Sequence, residues 1–434
     1  MALKNRIRKE RMRTAVVAAA LVMAPLAASA QNVGGIAEET GVRVGPGRLN
    51  PVIALESRYD SAAGVDEAGE MKGDTILHIR PGIRFLAPSE SIQLKLNANY
   101  DYNAYMSSEL EDYSKSAADI DFGVLFNRSG DVRFEVTDRF VRSDRNTTYS
   151  VGFNSIVNRN DATLRLTALS GDSWSIAPTY TLTSETFEAA RSNATDVEAN
   201  ALERYDNLSH TGGVEARYAI ASKTALLLDL GVGYRGYNGD EKKLAGLGGR
   251  ADDVGNARVR VGLTSMLSQK IGLTLKAGYG SQFGLNDAEA DGTSRGFSGA
   301  IGSAELAWYL SDLSNVRVGF ARSFEADAVN DYYSDDRLFV ESTLAFTRQL
   351  GLRAGLSYDM VGFGTGDRGE TVDGRADDIF AFHVGPEYAF NRWFSAGVSY
   401  GYTNRSAEFD GKELDDPFVN YDRNELAARV TFSY

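Results

Sequence analysis

The chain has 434 residues and a formal net charge of −13, from 46 Lys plus Arg against 59 Asp plus Glu. That acidity argues against a nucleic-acid-binding role, which leaves a basic footprint. There are 44 Gly, 21 Tyr and 21 Phe but no Cys, which excludes disulfides, thiolate metal sites, thiol nucleophiles and Cys-borne lipids.

Residues 1–30 have the form of a secretory signal. Lys4, Arg6, Arg8, Lys9, Arg11 and Arg13 precede an apolar stretch at 15–27. Ala28-Ser29-Ala30 is a small-residue cleavage site, which makes Gln31 the expected first residue of the mature chain. Beyond residue 30 no stretch approaches the roughly 18–20 apolar residues of a membrane helix. Residues 31–49 are expected to form a short periplasmic segment, and 50–434 a single unit.

That unit alternates apolar and polar residues from end to end. Ile92, Leu94, Leu96, Ala98, Tyr100 and Tyr102 are separated by Gln93, Lys95, Asn97, Asn99 and Asp101. The pattern returns at Val214, Ala216, Tyr218, Ile220, then at Leu226, Leu228, Leu230, Val232, Tyr234, and at Ile271, Leu273, Leu275, Ala277, Tyr279. Leu352, Ala354, Leu356, Tyr358 and Phe394, Ala396, Val398, Tyr400, Tyr402 continue it. Side chains on a strand point to alternate faces, so each segment has one apolar and one polar face.

A soluble sandwich alternates in the same way with its apolar faces inward. Three features favour a membrane barrel. Many segments run past the usual 5–6 or so residues of a soluble strand. Their length suits the roughly 9–11 residues with which a tilted strand crosses a bilayer. Aromatics such as Tyr234, Tyr237, Trp308, Tyr309, Trp393 and Phe394 gather at segment ends, as an interfacial girdle requires. A sheet pairs all its backbone groups in lipid only by closing on itself. The expected fold is therefore all-β: a transmembrane, antiparallel, up-and-down barrel of the bacterial outer membrane.

Tight turns are expected at 87–90, 127–130, 170–173, 221–223, 268–270, 311–315, 349–351 and 391–393. Between them lie longer polar links at 60–73, 105–116, 142–161, 186–208, 238–255, 285–296, 326–336, 364–377 and 406–423. Short and long alternate without a break, giving about 18 strands, with 16–20 possible. Tyr149, Val151 and Phe153 alternate inside the 142–161 link and could extend a strand. The even count places both termini in the periplasm and the long loops outside the cell.

With the apolar parity on lipid, the other parity lines the lumen. Candidate lumen residues are Lys95, Asp101, Asp121, Arg133, Glu135, Arg217, Asp229, Arg235, Arg260, Lys276, Arg353, Asp359 and Arg429. Mixed signs argue against strong ion selectivity, and Gly residues of the same parity leave room. Such a lining suits a neutral or weakly charged, hydrated solute such as a sugar chain; for any single charge, solvation of the wall is the simpler role. A barrel of this size is wide enough for an aqueous channel unless a loop folds in.

The long links are acidic: Asp66-Glu67, Asp252-Asp253, Asp335-Asp336, Asp377-Asp378 and Asp415-Asp416. None has a recognised Ca²⁺-loop spacing, so solvated surface or cation-bridged contact with lipopolysaccharide is expected, with no metal site. The three histidines, His78, His210 and His383, lie in no catalytic frame such as G-x-S-x-G or H-E-x-x-H. Neither an enzyme nor a cofactor is expected.

Leu426, Ala428, Val430, Phe432 and the terminal Tyr434 alternate to the last residue. This resembles the C-terminal signal that delivers barrels to the outer-membrane barrel-assembly machinery. The order GPGRLNPVIALESRYDS at 45–61, IRPGIRF at 79–85 and LKLNANYDYNAY at 94–105 resembles a family of β-barrel porins found among exopolysaccharide biosynthesis and export components. It departs from that family at Asp60-Ser61, where members commonly carry Asp-Asn. The resemblance implies an outer-membrane conduit for a secreted polysaccharide, working with a periplasmic polysaccharide-export protein that docks on the short turns or the N-terminal segment. A general diffusion porin and a plugged structural or adhesive barrel remain the alternatives.

Overall fold

The computed structural model describes residues 41–66, 70–113, 116–143, 155–170, 173–190, 201–239, 253–285, 296–327, 332–364, 375–409, 412–414 and 419–434. The segment bearing Ala28, Ala30 and Gln31, together with Tyr149, Val151 and Phe153, lies outside these residues.

The alternating segments form strands. A short β1 (Val42–Val44) leads into β2 (Gly47–Val65), β3 (Met71–Ala87), β4 (Ile92–Tyr105), β5 (Ser116–Phe126) and β6 (Val132–Ser143). Next come β7 (Ser155–Ser170), β8 (Trp174–Ala189), β9 (Asn207–Ala221), β10 (Thr224–Tyr237) and β11 (Val254–Met266). They are followed by β12 (Ile271–Gly284), β13 (Ser298–Ser311), β14 (Ser314–Ala326), β15 (Tyr332–Ala345) and β16 (Leu350–Phe363). The last are β17 (Ala376–Ala389), β18 (Phe394–Phe409), the two-residue β19 (Lys412–Glu413) and β20 (Tyr421–Ser433).

Apart from β1 and β19, each strand pairs antiparallel with its neighbours in sequence, and β20 pairs with β2 from Val52↔Ser433 to Asp60↔Glu425. The sheet closes as an 18-strand barrel. Closure gives β2 and β20, which would otherwise be bare edges, their missing partners. The chain end is fixed at the same seam: Tyr434 N donates to Pro51 O at 3.1 Å, and Asn50 Nδ2 to Tyr434 O at 3.1 Å.

The outer face carries the apolar parity. Val232 is 63% exposed and Val261 61%, a distribution that is favourable in hydrocarbon and unfavourable in water. Aromatics cap this band, with Trp174 against Tyr218 at 4.5 Å and Phe394 against Phe432 at 4.9 Å between ring centroids. Tight connections close one end. Asn127, at φ 54°, takes the left-handed conformation that Asn tolerates, and its carbonyl accepts from Gly130 N at 3.0 Å.

The expected alternation of short and long connections holds, but the strands run beyond the expected link boundaries. The 60–73 link shrinks to 66–70, 326–336 to 327–331, and β7 already begins at Ser155, inside the expected 142–161 link. Asp335 and Asp336 lie on β15, and Asp377 and Asp378 on β17, so these two pairs are strand residues rather than loop surface. The physical reason is that strands continue above the lipid band, where no apolar face is needed and the alternation fades. At the N-terminal side, β1 pairs with the start of β2 (Val42↔Leu49 to Val44↔Gly47), so this part of the 31–49 segment joins the sheet.

Candidate functional site

The pleat that points Leu226, Leu228 and Leu230 outward points Leu227, Asp229 and Gly231 inward. The same geometry places all thirteen candidate lumen residues on the inner face. Several are joined across strands. Lys95 on β4 meets Asp121 on β5 at 2.9 Å. On the far wall, Asp229 takes Arg260 at 2.5 Å, Arg258 at 3.6 Å and Lys276 at 3.7 Å. Lys276 also reaches Glu215 at 3.5 Å, and Glu215 reaches Arg165 at 3.4 Å. Others stand apart. Arg133 donates to Gly130 O at the turn rim, 3.2 Å away. Glu135 faces Arg165 in register, Arg217 faces Ser175, and Arg353 faces Gly385.

A second cluster surrounds the closing seam. Glu56, 4% exposed, binds Arg58 at 2.6 Å, Arg80 at 3.0 Å and Arg429 at 2.5 Å. Arg80 passes to Asp101 at 2.7 Å, and His78 Nδ1 sits 3.1 Å from the same carboxylate. Asp60, fully buried, is gripped by Arg423. Glu56, Arg58, Asp60 and Arg423 were not singled out as candidates from the sequence. Their signal is the alternation Ile53, Leu55, Ser57, Tyr59, which puts Glu56 and Arg58 inward, blurred by the apolar Val52 and Ala54 on the inner parity.

Inner-face side chains differ in exposure along the barrel axis. Toward the tight turns, Lys95 is 49% exposed, Arg317 42% and Glu215 40%. Toward the long links, Glu185, Ser209, Tyr237, Tyr333, Asp359, Asp377 and Arg405 are buried. Arg235 Nη1 there reaches Ala326 O at 3.0 Å, from β10 to the end of β14, while its Nε donates to Ser209 Oγ at 3.0 Å. Asp377 is clamped by Arg375 at 2.9 Å and Arg405 at 2.5 Å, and Asp359 accepts from Ser357 Oγ at 3.0 Å. Tyr113, from the β4–β5 link, donates to Val65 O at 3.1 Å. Tyr205 lies in the β8–β9 link; burial, with the Asp327 carboxylate nearby, pushes its phenol well above the usual tyrosine range. Among the described residues, inner-face side chains are packed toward the links and open to solvent toward the turns.

Among the described residues no histidine is hydrogen-bonded to a serine: His78 is held by Asp101, and His210 sits on the outer face, 2.8 Å from Tyr180 Oη. Among the described residues no group of His, Asp and Glu is arranged to hold a metal ion, and no helix is long and apolar enough to cross a membrane.

A family model described as "Putative beta-barrel porin 2" matches residues 37–434. The chain belongs to this family. No curated protein matches the sequence. Among solved structures, the FrpB iron transporter of Neisseria meningitidis is similar in fold at 9% identity and TM-score 0.50, the match covering 88% of this chain and 66% of that one. OccAB3 of Acinetobacter baumannii matches at 8% identity, covering 90% of this chain and 100% of that one, with TM-score 0.45. OmpT of Vibrio cholerae matches at 13% identity, 91% and 99% coverage and TM-score 0.37. This porin-family chain is therefore an outer-membrane β-barrel channel of a Gram-negative bacterium. Its closed sheet, outward apolar band and polar lumen are what that location requires.

Proposed function

We propose that the barrel is the outer-membrane conduit for a secreted exopolysaccharide, fed from the periplasm by a polysaccharide-export protein docked at the turn end. The observation that carries this reading is the charge-paired lumen. Most of its carboxylates sit against guanidinium or ammonium groups, so the wall is strongly polar without a dominant sign. Such a wall hydrates a sugar chain and neither traps nor repels it electrostatically. The protein performs no chemistry on its cargo; direction comes from synthesis behind the chain.

Deletion of the gene, with polysaccharide quantified on the surface and in the periplasm, tests this. Loss outside with accumulation inside is expected. Normal surface polysaccharide would overturn it and favour a diffusion porin. The packed link end favours a second reading, a plugged structural barrel, which predicts no solute passage in any state.

A further inference from the structure

The lumen wall is not uniform. Where β17, β18, β20 and β2 adjoin, it is hollowed into a recess. The floor is β18, whose inward residues Ser395, Gly397, Ser399 and Gly401 are all small. The strand registers order the sides. In one row Arg353, Gly385, Ser399, Ala427 and Arg58 succeed one another across five strands. In the next row toward the turns Glu387, Gly397, Arg429 and Glu56 follow in the same way. On the other side His383, Gly401 and Glu425 form a third. The floor therefore lies between two charged banks, β16–β17 on one side and β20–β2 on the other.

Both banks are held by their own partners. Glu56 fixes Arg58 and Arg429, and Ser395 Oγ donates to Glu387 Oε1 at 3.0 Å. The half-buried His383 ring faces the recess with no hydrogen bond to any described residue. Three guanidinium groups (Arg58, Arg353, Arg429) stand against three carboxylates (Glu56, Glu387, Glu425), so the recess has no net charge. From Ser395 to Gly401 it follows the strand for about 20 Å, long enough for several sugar rings in line.

We infer that this recess is a binding groove for a neutral, linear, polyhydroxylated chain. The side-chain-poor floor lets sugar rings lie against the sheet, while rigid carboxylate, guanidinium and imidazole groups on both banks meet their hydroxyls. Balanced charge selects against polyanions, because every guanidinium offered to an acidic sugar is accompanied by a carboxylate that repels it. This deepens the conduit reading and rests on it for the kind of solute that enters the lumen.

The test is calorimetric titration of the purified full-length barrel in detergent with maltohexaose, cellohexaose and, as a polyanion, hexagalacturonate. Gly401→Leu and Ser399→Leu fill the floor. A Cβ at Gly401 meets nothing nearer than 3.8 Å, so the backbone there tolerates a side chain. Thr137→Leu, on the lumen face of β6 and away from the recess, is the control, and heat-modifiable mobility reports folding. At least one neutral hexamer should bind, with affinity lowered about tenfold or more by the floor variants and unchanged by the control. Absence of neutral binding, equal binding by the folded floor variants, or tighter binding of hexagalacturonate would overturn the groove. The conduit reading fails separately, on the deletion phenotype: hexamer binding in a protein whose loss leaves surface polysaccharide intact would remove the conduit and leave the groove.

Discussion

The two ends of the lumen are built from the same strands yet behave as different solvents. At the turn end, Lys95 pairs with Asp121 while both stay substantially exposed. Such pairs contribute at most about 1 kcal/mol, and the wall is best regarded as solvated surface folded inward. At the link end, Asp377 with Arg405 is withdrawn from water, so each depends on its partner, and the half-buried Arg235 reaches Ala326 O. The seam is the exception that explains the rule. Glu56 lies toward the turn end but is buried, because three guanidiniums converge on it. Burial follows from how many partners a side chain has, and height in the barrel matters through the described link residues that pack on strand ends, such as Tyr113 on Val65 and Tyr205 on Phe187.

The largest expected effect is at the seam. Glu56→Ala leaves Arg58, Arg80 and Arg429 without their shared carboxylate, and should cost about 3–5 kcal/mol, read as a lower temperature for loss of the heat-resistant barrel band. Overpacking should separate the two ends next. Ser209→Leu, 8% exposed beside Arg235, should cost about 1–3 kcal/mol, whereas Thr343→Leu at the turn end should stay within about 0.5 kcal/mol. Arg235→Ala removes the contacts with Ala326 O and Ser209 Oγ; it should raise single-channel conductance severalfold and lower the melting temperature by less than Glu56→Ala does, since Arg235 is only half-buried. The smallest effect belongs to Lys95→Gln, which should shift stability by no more than about 0.5 kcal/mol. A large loss there would break the distinction between a solvated and a packed end.

Much of this was legible in the sequence because strand side chains have a strict period of two. Leu226 to Tyr234 fixes both a lipid face and the inward place of Asp229 and Arg235. The strand number followed because turns such as 221–223 stand apart from the longer polar links. What the sequence did not disclose lies where that logic lapses. Asp335 and Asp377 read as loop acids, since above the lipid band a strand needs no apolar parity. The convergence of Arg423 on Asp60, residues 363 positions apart, depends on closure of the first strand on the last. No local pattern carries that information. The recess on β18 depends likewise on registers across five strands.

The account's central claim is a lumen hydrated from the turn end and packed at the link end. Because the chain has no Cys, single-cysteine variants address it directly. The measurement is the reaction rate of Thr343→Cys and Ser209→Cys with a membrane-impermeant maleimide in the folded, purified barrel. Fast labelling at 343, with labelling at 209 slow until Arg235→Ala is added, is the predicted result. Equal rates at the two positions in the otherwise unaltered protein would contradict it.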